Sequence, residues 1–141
     1  MEPLDLTKKP PRDPRQELDG LAMMPRTIDK LRANLPGGNP GVYFFKGFSQ
    51  MLAEAGGVTE DQLLDVIASA RSDEDVAAWL RANADRTRME EFSRQILNRK
   101  VADVKARDPE AFAQRYPVSK DRTDIEYMVD LLAADDEDMF K

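Results

Sequence analysis

Cysteine and histidine are both absent from the 141 residues of this chain. Without cysteine there is no disulfide, no thiolate metal site and no thiol nucleophile, and nothing indicates an oxidising compartment. Without histidine the chain lacks the commonest zinc ligand, the base of the usual nucleophilic triads and the side chain that most often transfers protons near neutral pH. We therefore predict no catalytic residue, no metal and no cofactor. A protein that is not an enzyme is favoured, although the many carboxylates leave the enzyme class open.

Long apolar runs are also missing. No segment approaches the roughly 20 apolar residues of a membrane span, and the first residues lack the apolar stretch of a secretory signal. Hydrophobic residues make up 41% of the chain and charged residues 34%, which is polar for a globular protein but too apolar for a wholly disordered one. We expect a cytoplasmic protein without membrane contact that folds as a single domain over residues 1–141.

Negative charge is concentrated at one end of the chain. Residues 121–141 hold eight acidic and two basic side chains and so carry the whole net charge of -6, whereas the preceding 120 residues hold nineteen of each. The final DDEDMFK shows no apolar pattern, so we expect residues 135–141 to form a frayed acidic tail. Its carboxylates are not expected to bind a metal, because Mg²⁺ and Ca²⁺ sites need ligands held in a fixed geometry.

Helix start and stop signals divide the rest of the chain into short segments. The clearest helix begins at Pro25, since the fixed φ of proline suits the first helical position. An apolar stripe runs along it: Met24, Ile28, Leu31 and Leu35. Thr59 with Gln62 forms a capping box for another helix, Asp108 before Pro109 begins a third, and the longest helix is predicted over residues 88–107.

The N-terminal segment differs from the rest. Residues 1–13 contain three prolines and three basic side chains, which predicts an extended Pro-rich basic arm. Asp13 and Pro14 then predict a short helical turn that ends at Gly20. We count about six to seven short-to-medium helices and no strand. The predicted fold is therefore all-α, a compact helical bundle with an extended N-terminal arm.

The helix that begins at Pro25 also carries the best candidate site. Arg26 and Lys30 lie one turn apart, with Asp29 between them, on the face opposite the apolar stripe. Paired cations can hold a phosphate or carboxylate, and basic residues of the arm would add to them. The alternative is a solvated helix face with a contact between Arg26 and Asp29. The candidate anion-binding or partner-binding residues are Arg12, Arg15, Arg26, Asp29, Lys30 and Arg32.

Two other patterns resemble nucleic-acid binding motifs only in part. Residues 45–48, FKGF, share the K-G-F core of an RNA-recognition motif, but the strands that would display the rings are missing, so Tyr43, Phe44 and Phe48 are expected in the core. Seven bases between residues 85 and 107 scatter around their helix instead of lining one side. Nucleic acid is therefore not an expected partner.

The chain contains, in order, Asp5-Leu6, PPRDPR at 10–15, MPRTIDKLR at 24–32, KGF at 46–48, SDEDVAAWLR at 72–81 and DRTDIEYMVDLLAADDED at 121–138. Taken together, these fragments resemble the DUF5069 family, whose members are short proteins of unknown function, mostly from bacteria. The resemblance implies a compact all-helical fold and no particular activity. If the protein has a ligand, the resemblance directs attention to the segment with Arg26, Asp29, Lys30 and Arg32.

Two functional hypotheses follow. The first is a non-enzymatic helical module that binds another macromolecule, a protein above all, because the two ends of the chain carry opposite charge and the usual nucleophiles and proton-transfer groups are missing. The alternative is a small-molecule enzyme or sensor that binds an anionic ligand near Arg26 and Lys30. The alternative requires a concave pocket beside those side chains. Oligomeric state and the identity of any partner stay open.

Overall fold

The computed structural model describes residues 1–141, and the prediction of a mostly helical bundle is confirmed. The chain forms eight α-helices, one 3₁₀ turn at Pro117–Lys120 and a small antiparallel hairpin of β1 (Glu17–Leu18) and β2 (Leu21–Ala22). The helices are α1 (Met24–Arg32), α2 (Phe48–Ala55), α3 (Glu60–Ser69), α4 (Asp73–Asn83), α5 (Arg86–Leu97), α6 (Val101–Lys105), α7 (Pro109–Arg115) and α8 (Met128–Met139).

Helix α1 lies at the centre of the protein. Pro25 occupies its first turn, as predicted, and the helix packs against α2, α3 and the hairpin. Ile28 and Leu31 are fully buried in the main apolar cluster, together with side chains of α2 to α5 and α8. Every residue from Leu21 to Leu31 is buried. The prediction that the polar face of α1 is solvated is therefore wrong, because other parts of the chain cover that face as well.

The hairpin replaces the helical turn predicted after Asp13. Asp19 and Gly20 both have positive φ, 52° and 81°, and join the two strands as a two-residue loop. Such a loop matches the right-handed twist of a hairpin, and Asp-Gly is a preferred sequence for it. The prediction of no strand is wrong here because the Asp-Gly signal outweighs the helix-start signal at Asp13 and Pro14.

The long helix predicted over residues 88–107 is also corrected. Helix α5 ends at Leu97, where the Asn98 side chain donates a hydrogen bond to the Arg94 carbonyl. Lys100 is extended and forms an isolated antiparallel bridge with Tyr127. The Val101 amide donates to the Glu126 carbonyl at 2.8 Å, and the Met128 amide donates to the Arg99 carbonyl at 2.9 Å. A long-range backbone pairing therefore divides a stretch whose local apolar pattern favours one helix.

The two ends of the chain pack onto the body. The N-terminal arm contains no helix. Its Leu6 side chain is buried, and the Leu6 amide donates a hydrogen bond to the Asn39 carbonyl at 2.8 Å. At the other end, α8 continues through Met139, and Asp136 is only 6% exposed. The prediction of a frayed tail is wrong for these residues, because buried partners of Asp136 hold the last turns of α8 in place. None of the helices combines the length and apolar character that a membrane crossing requires.

The capping box predicted at the start of α3 is confirmed. The Thr59 hydroxyl accepts a hydrogen bond from the Gln62 amide at 3.1 Å, and the Gln62 side chain accepts one from the Thr59 amide at 2.9 Å. Thr59→Ala should therefore lower the free energy of unfolding by about 1 kcal/mol. Urea denaturation measures this change. Ser72→Ala is the control, since Ser72 precedes α4 without a side-chain cap, and an equal loss there would contradict the prediction.

Candidate functional site

A buried ion pair joins the first turn of α1 to the end of α8. The Arg26 guanidinium donates to both carboxylate oxygens of Asp136, at 2.7 and 3.1 Å, and the two side chains are 4% and 8% exposed. Arg26 also donates to the Arg12 carbonyl at 3.3 Å. The two-pronged geometry suits a planar guanidinium and fixes its orientation. These hydrogen bonds therefore hold the Arg26 guanidinium in one orientation.

Tyr43 completes this buried group. Its hydroxyl donates to Asp136 Oδ1 at 2.8 Å, and the Arg26 guanidinium lies over its ring, 5.5 Å from the centroid. Burial raises the pKa of Tyr43, and the neighbouring Asp136 carboxylate raises it further. The phenol therefore keeps its proton at physiological pH and remains a hydrogen-bond donor to Asp136.

Lys30 lies one turn beyond Arg26 and has no such partner. Its side chain takes part in no ion pair and no hydrogen bond, although only 9% of the residue is exposed. Burial lowers the pKa of Lys30 to about 8, and the charges of Arg26 and Arg115 lower it further against the opposing effect of Asp136. A mostly buried ammonium without a paired carboxylate is costly, which makes Lys30 a candidate site residue.

Arg26 and Lys30 line a cleft with two neighbouring chambers. The chamber beside Tyr43, which we call the outer chamber, has a volume of about 300 Å³, and the chamber beside Phe48, which we call the inner chamber, about 440 Å³. Six residues line both chambers: Arg26, Lys30, Lys46, Arg115, Tyr116 and Leu132. The outer chamber alone contains Tyr43, Phe44, Asp135 and Asp136, and the inner chamber alone contains Phe48, Met51, Arg99 and Arg107. We refer to the two chambers together as the basic cleft.

The charge of the basic cleft is strongly one-sided. No carboxylate lines the inner chamber, whereas six cationic side chains do. Five of these cations form no ion pair with any carboxylate of the protein: Lys30, Lys46, Arg99, Arg107 and Arg115. Asp136 of the outer chamber is already paired with Arg26. Burial raises the pKa of Asp135, and the charge of Asp136 raises it further, which weakens the negative charge of the outer chamber at acidic pH.

The mouth of the cleft is apolar. Four large hydrophobic side chains of the protein are exposed, and all of them line one of the two chambers: Val42, Phe44, Met51 and Met139. Phe44 is 57% exposed, so its predicted place in the core is wrong. Exposed apolar side chains that gather around a concave polar surface are typical of ligand-binding and partner-binding sites.

The structure separates the six candidate residues predicted from the sequence. Arg26 and Lys30 line the basic cleft, but the other four lie outside it. Arg12 pairs with the buried Asp29 and with Asp73 of α4, so that Asp29 accepts from Arg12 and not from Arg26. The predicted contact between Arg26 and Asp29 is therefore wrong, because each residue has a partner from a distant segment.

The remaining two candidates stabilise the arm and the hairpin segment. Arg15 donates to both carboxylate oxygens of Asp130 on α8, at 2.7 and 2.8 Å. The Arg32 side chain donates to the Glu2 carbonyl at 2.7 Å. Both contacts join residues far apart in the chain, and neither side chain reaches the basic cleft. Arg15 therefore holds the N-terminal segment against α8, and Arg32 holds it against α1.

The sequence reasoning missed several residues of the cleft. Lys46 was present in the KGF fragment, but nothing distinguished it from a surface lysine. Arg99, Arg107 and Arg115 belong to the segments around α6 and α7, where the bases scatter along the chain. The break between α5 and α6 brings them to one side. No local signal could have shown this, because the break itself depends on pairing with residues 126–128.

Replacing Lys30 tests its unusual environment. Its pKa is lower in the folded state, about 8, than the ordinary value of 10.5, so between these pH values the folded protein binds fewer protons than the unfolded chain and stability rises with pH. Below pH 8 the cost of the buried charge is fully present. Lys30→Met should therefore raise the free energy of unfolding at pH 7, on the order of 1–3 kcal/mol.

The increase in the free energy of unfolding caused by Lys30→Met should become smaller as the pH rises toward 10. Urea denaturation at several pH values measures this dependence. Lys46→Met is the matched control, because Lys46 lines the same cleft but is exposed. A pH-independent effect at Lys30, or an equal one at Lys46, would contradict the assignment.

Fold and cleft together define a small helical protein with a basic cleft and an apolar mouth. No group of three or more carboxylates is arranged to hold a metal ion. The sequence model of a domain of unknown function, DUF5069, matches residues 8–138, nearly the whole chain. The chain belongs to this family, as the sequence fragments indicated. Comparison with proteins of curated function gives no match.

Proposed function

We propose that the protein binds a small anionic molecule, a phosphate or carboxylate compound, in the basic cleft. The supporting observation is the group of five cationic side chains that line one cleft without a carboxylate partner. This group belongs to a chain whose net charge is -6, so a general excess of basic residues does not explain it. The protein has many carboxylates elsewhere on its surface, but none of them forms an ion pair with these five side chains.

A bound anion would offset the energetic cost of the buried Lys30 charge in the free protein. Lys30 is charged at neutral pH and buried without a counter-ion, and an anion beside it would compensate the lost hydration. Arg26 contributes differently, because Asp136 and Tyr43 already satisfy it and fix its position. Lys46, Arg99, Arg107 and Arg115 are then free to make charge-assisted hydrogen bonds to the ligand.

The shape of the cleft limits the ligand. A volume of about 440 Å³ in the inner chamber suits a molecule of metabolite size. The apolar mouth, with Phe44 and Met139 on one side, favours a ligand that has an apolar part next to its anionic group. Binding should also favour protonation of Lys30, because a nearby anion stabilises its charged form.

Binding of a macromolecule is the second candidate, and the apolar mouth is the observation that favours it. A protein segment with acidic and apolar side chains would match the same surface. The argument from opposite charge at the two ends is weaker, because Arg15 of the N-terminal segment pairs with Asp130 of α8 within one molecule. The small anionic ligand is preferred, since one of the unpartnered cations, Lys30, is almost fully buried in the cleft, where a large partner would not reach it.

Titration calorimetry and thermal denaturation with phosphate, pyrophosphate and citrate test the proposal, with sodium chloride at matched ionic strength as the reference. We expect saturable binding, with stronger binding of the larger anions. Replacing Lys46 and Arg115 together by glutamine should weaken binding about tenfold or more, since each removes a charge-assisted contact.

Arg71→Gln and Arg94→Gln are the matched controls. Both arginines are exposed, and neither lines the cleft. Binding that is absent for all three anions, or that the control substitutions weaken equally, would refute an anion site in the basic cleft. Binding only of acidic peptides would favour the second candidate.

A further inference from the structure

We infer that the Lys30 amine is a nucleophile that forms an imine with a small carbonyl compound carrying an anionic group, such as a 2-oxo acid. The inference rests on the proposed function, because the other cations of the basic cleft would hold the anionic group of the same molecule. It adds a covalent step and a substrate class to that function. It also gives Lys30 a role different from that of the surrounding arginines.

The position of Lys30 supports this role. The amine lies where the two chambers of the cleft meet, since Lys30 lines both of them. It has neither an ion-pair partner nor a hydrogen-bond partner, so its nitrogen lone pair is not engaged once the proton is lost. Every other lysine of the chain is exposed to solvent. Lys30 is therefore the only lysine of the chain whose amine is mostly buried within the cleft.

The charges around Lys30 favour loss of its proton. Arg26 on the same helix and Arg115 from α7 repel the ammonium, and Lys46 lines the same cleft. Asp136 from α8 opposes them, but it is neutralised by its pair with Arg26. Together with burial, these groups leave about half of the Lys30 amines of the ligand-free protein unprotonated at pH 8, against well under one in a hundred for an ordinary lysine.

The chemistry balances with the Lys30 amine, the carbonyl compound and solvent protons. The neutral amine attacks the carbonyl carbon and gives a carbinolamine, whose hydroxyl then leaves as water when it receives a proton. That proton comes from solvent and replaces the one that the Lys30 ammonium released to solvent before the attack, so the overall step converts ammonium and carbonyl into protonated imine and water. The product is a protonated imine, which carries the same positive charge as the lysine ammonium. An anionic group held nearby therefore stabilises the product as well as the bound substrate.

Reductive trapping tests the inference on the unaltered protein. The full chain is incubated with pyruvate and sodium cyanoborohydride near pH 8, and the reduced adduct is located by peptide mapping. We expect modification at Lys30 to exceed that at any other lysine by about tenfold or more, in line with its larger neutral fraction. Lactate, which has the carboxylate but no carbonyl, should compete with trapping and form no adduct. Lys30→Arg should abolish the main adduct.

The outcomes separate the inference from the proposed function. Trapping at Lys30 that lactate suppresses supports both. Reversible binding of lactate or pyruvate, with adducts absent or spread evenly over the exposed lysines, overturns the imine and leaves the anion site in place. Absence of both trapping and anion binding overturns the two proposals together. Because mapping uses the unaltered chain, a folding defect of the Lys30 variant does not affect the result.

Discussion

Asp136→Asn should lower the free energy of unfolding by about 3–5 kcal/mol, because it leaves the Arg26 guanidinium buried and charged without a counter-ion. Arg26 is 3% exposed and cannot reach water without movement of α1 or α8. Asparagine keeps the size of the side chain, so the loss measures charge and hydrogen bonding and not packing. Tyr43 would also lose the carboxylate that accepts the hydrogen bond from its hydroxyl. Urea denaturation monitored by circular dichroism gives the change.

Asp130→Asn provides the matched control for this prediction. Asp130 lies on the same helix and makes a two-pronged pair with Arg15 of similar geometry, but both side chains are nearly half exposed. Solvent screens such a pair, so its loss should cost less than about 1 kcal/mol. If the two substitutions cost the same, burial would not be the source of the effect at Asp136.

Ile28→Ala should cost about 2–5 kcal/mol, since it removes three methyl or methylene carbons from a fully buried position and leaves a cavity. Ile28 is 0% exposed and belongs to the main apolar cluster, between Arg26 and Lys30 along α1. Neighbours from several helices surround it, which limits how far the structure can collapse into the space. Urea denaturation again measures the loss.

Val42→Ala is the control for the core substitution. Val42 is 62% exposed at the mouth of the basic cleft and should change stability by less than about 0.5 kcal/mol. A comparable loss at Val42 would show that the apolar mouth is part of the stabilising core, and it would remove the argument that those side chains are exposed for a ligand.

The two expected losses have one structural origin. Helix α1 is buried on every side, so its apolar face and its polar face are both enclosed by other elements. Ile28 packs in the apolar core and Arg26 is paired with Asp136, whereas the Lys30 ammonium has no paired carboxylate. A protein that encloses a helix so completely and leaves one cation unpartnered carries a cost, and Lys30→Met is expected to be stabilising for the same reason that binding of an anion is.

Local signals in the sequence predicted most helix starts correctly. Pro25, the Thr59–Gln62 capping box and Asp108 before Pro109 each begin a helix in the structure, with the expected side-chain bonds at Thr59 and Asp108. These signals depend on residues three or four positions apart, so they operate wherever the chain is placed. The break after Leu97 and the helical end of α8 were not predicted, because both depend on segments far along the chain.

The amino-acid sequence by itself determined the helical class, the starts of the main helices, the apolar stripe of α1 and the absence of thiol and imidazole chemistry. Composition and short-range spacing are enough for these properties. Only the tertiary structure decided which charges are paired and which are not, since Arg26 meets a carboxylate 110 residues away and Lys30, one turn along, meets none. Charge pairing is a property of three-dimensional distance, and the basic cleft exists because separate segments bring their cations to one place without bringing carboxylates to match.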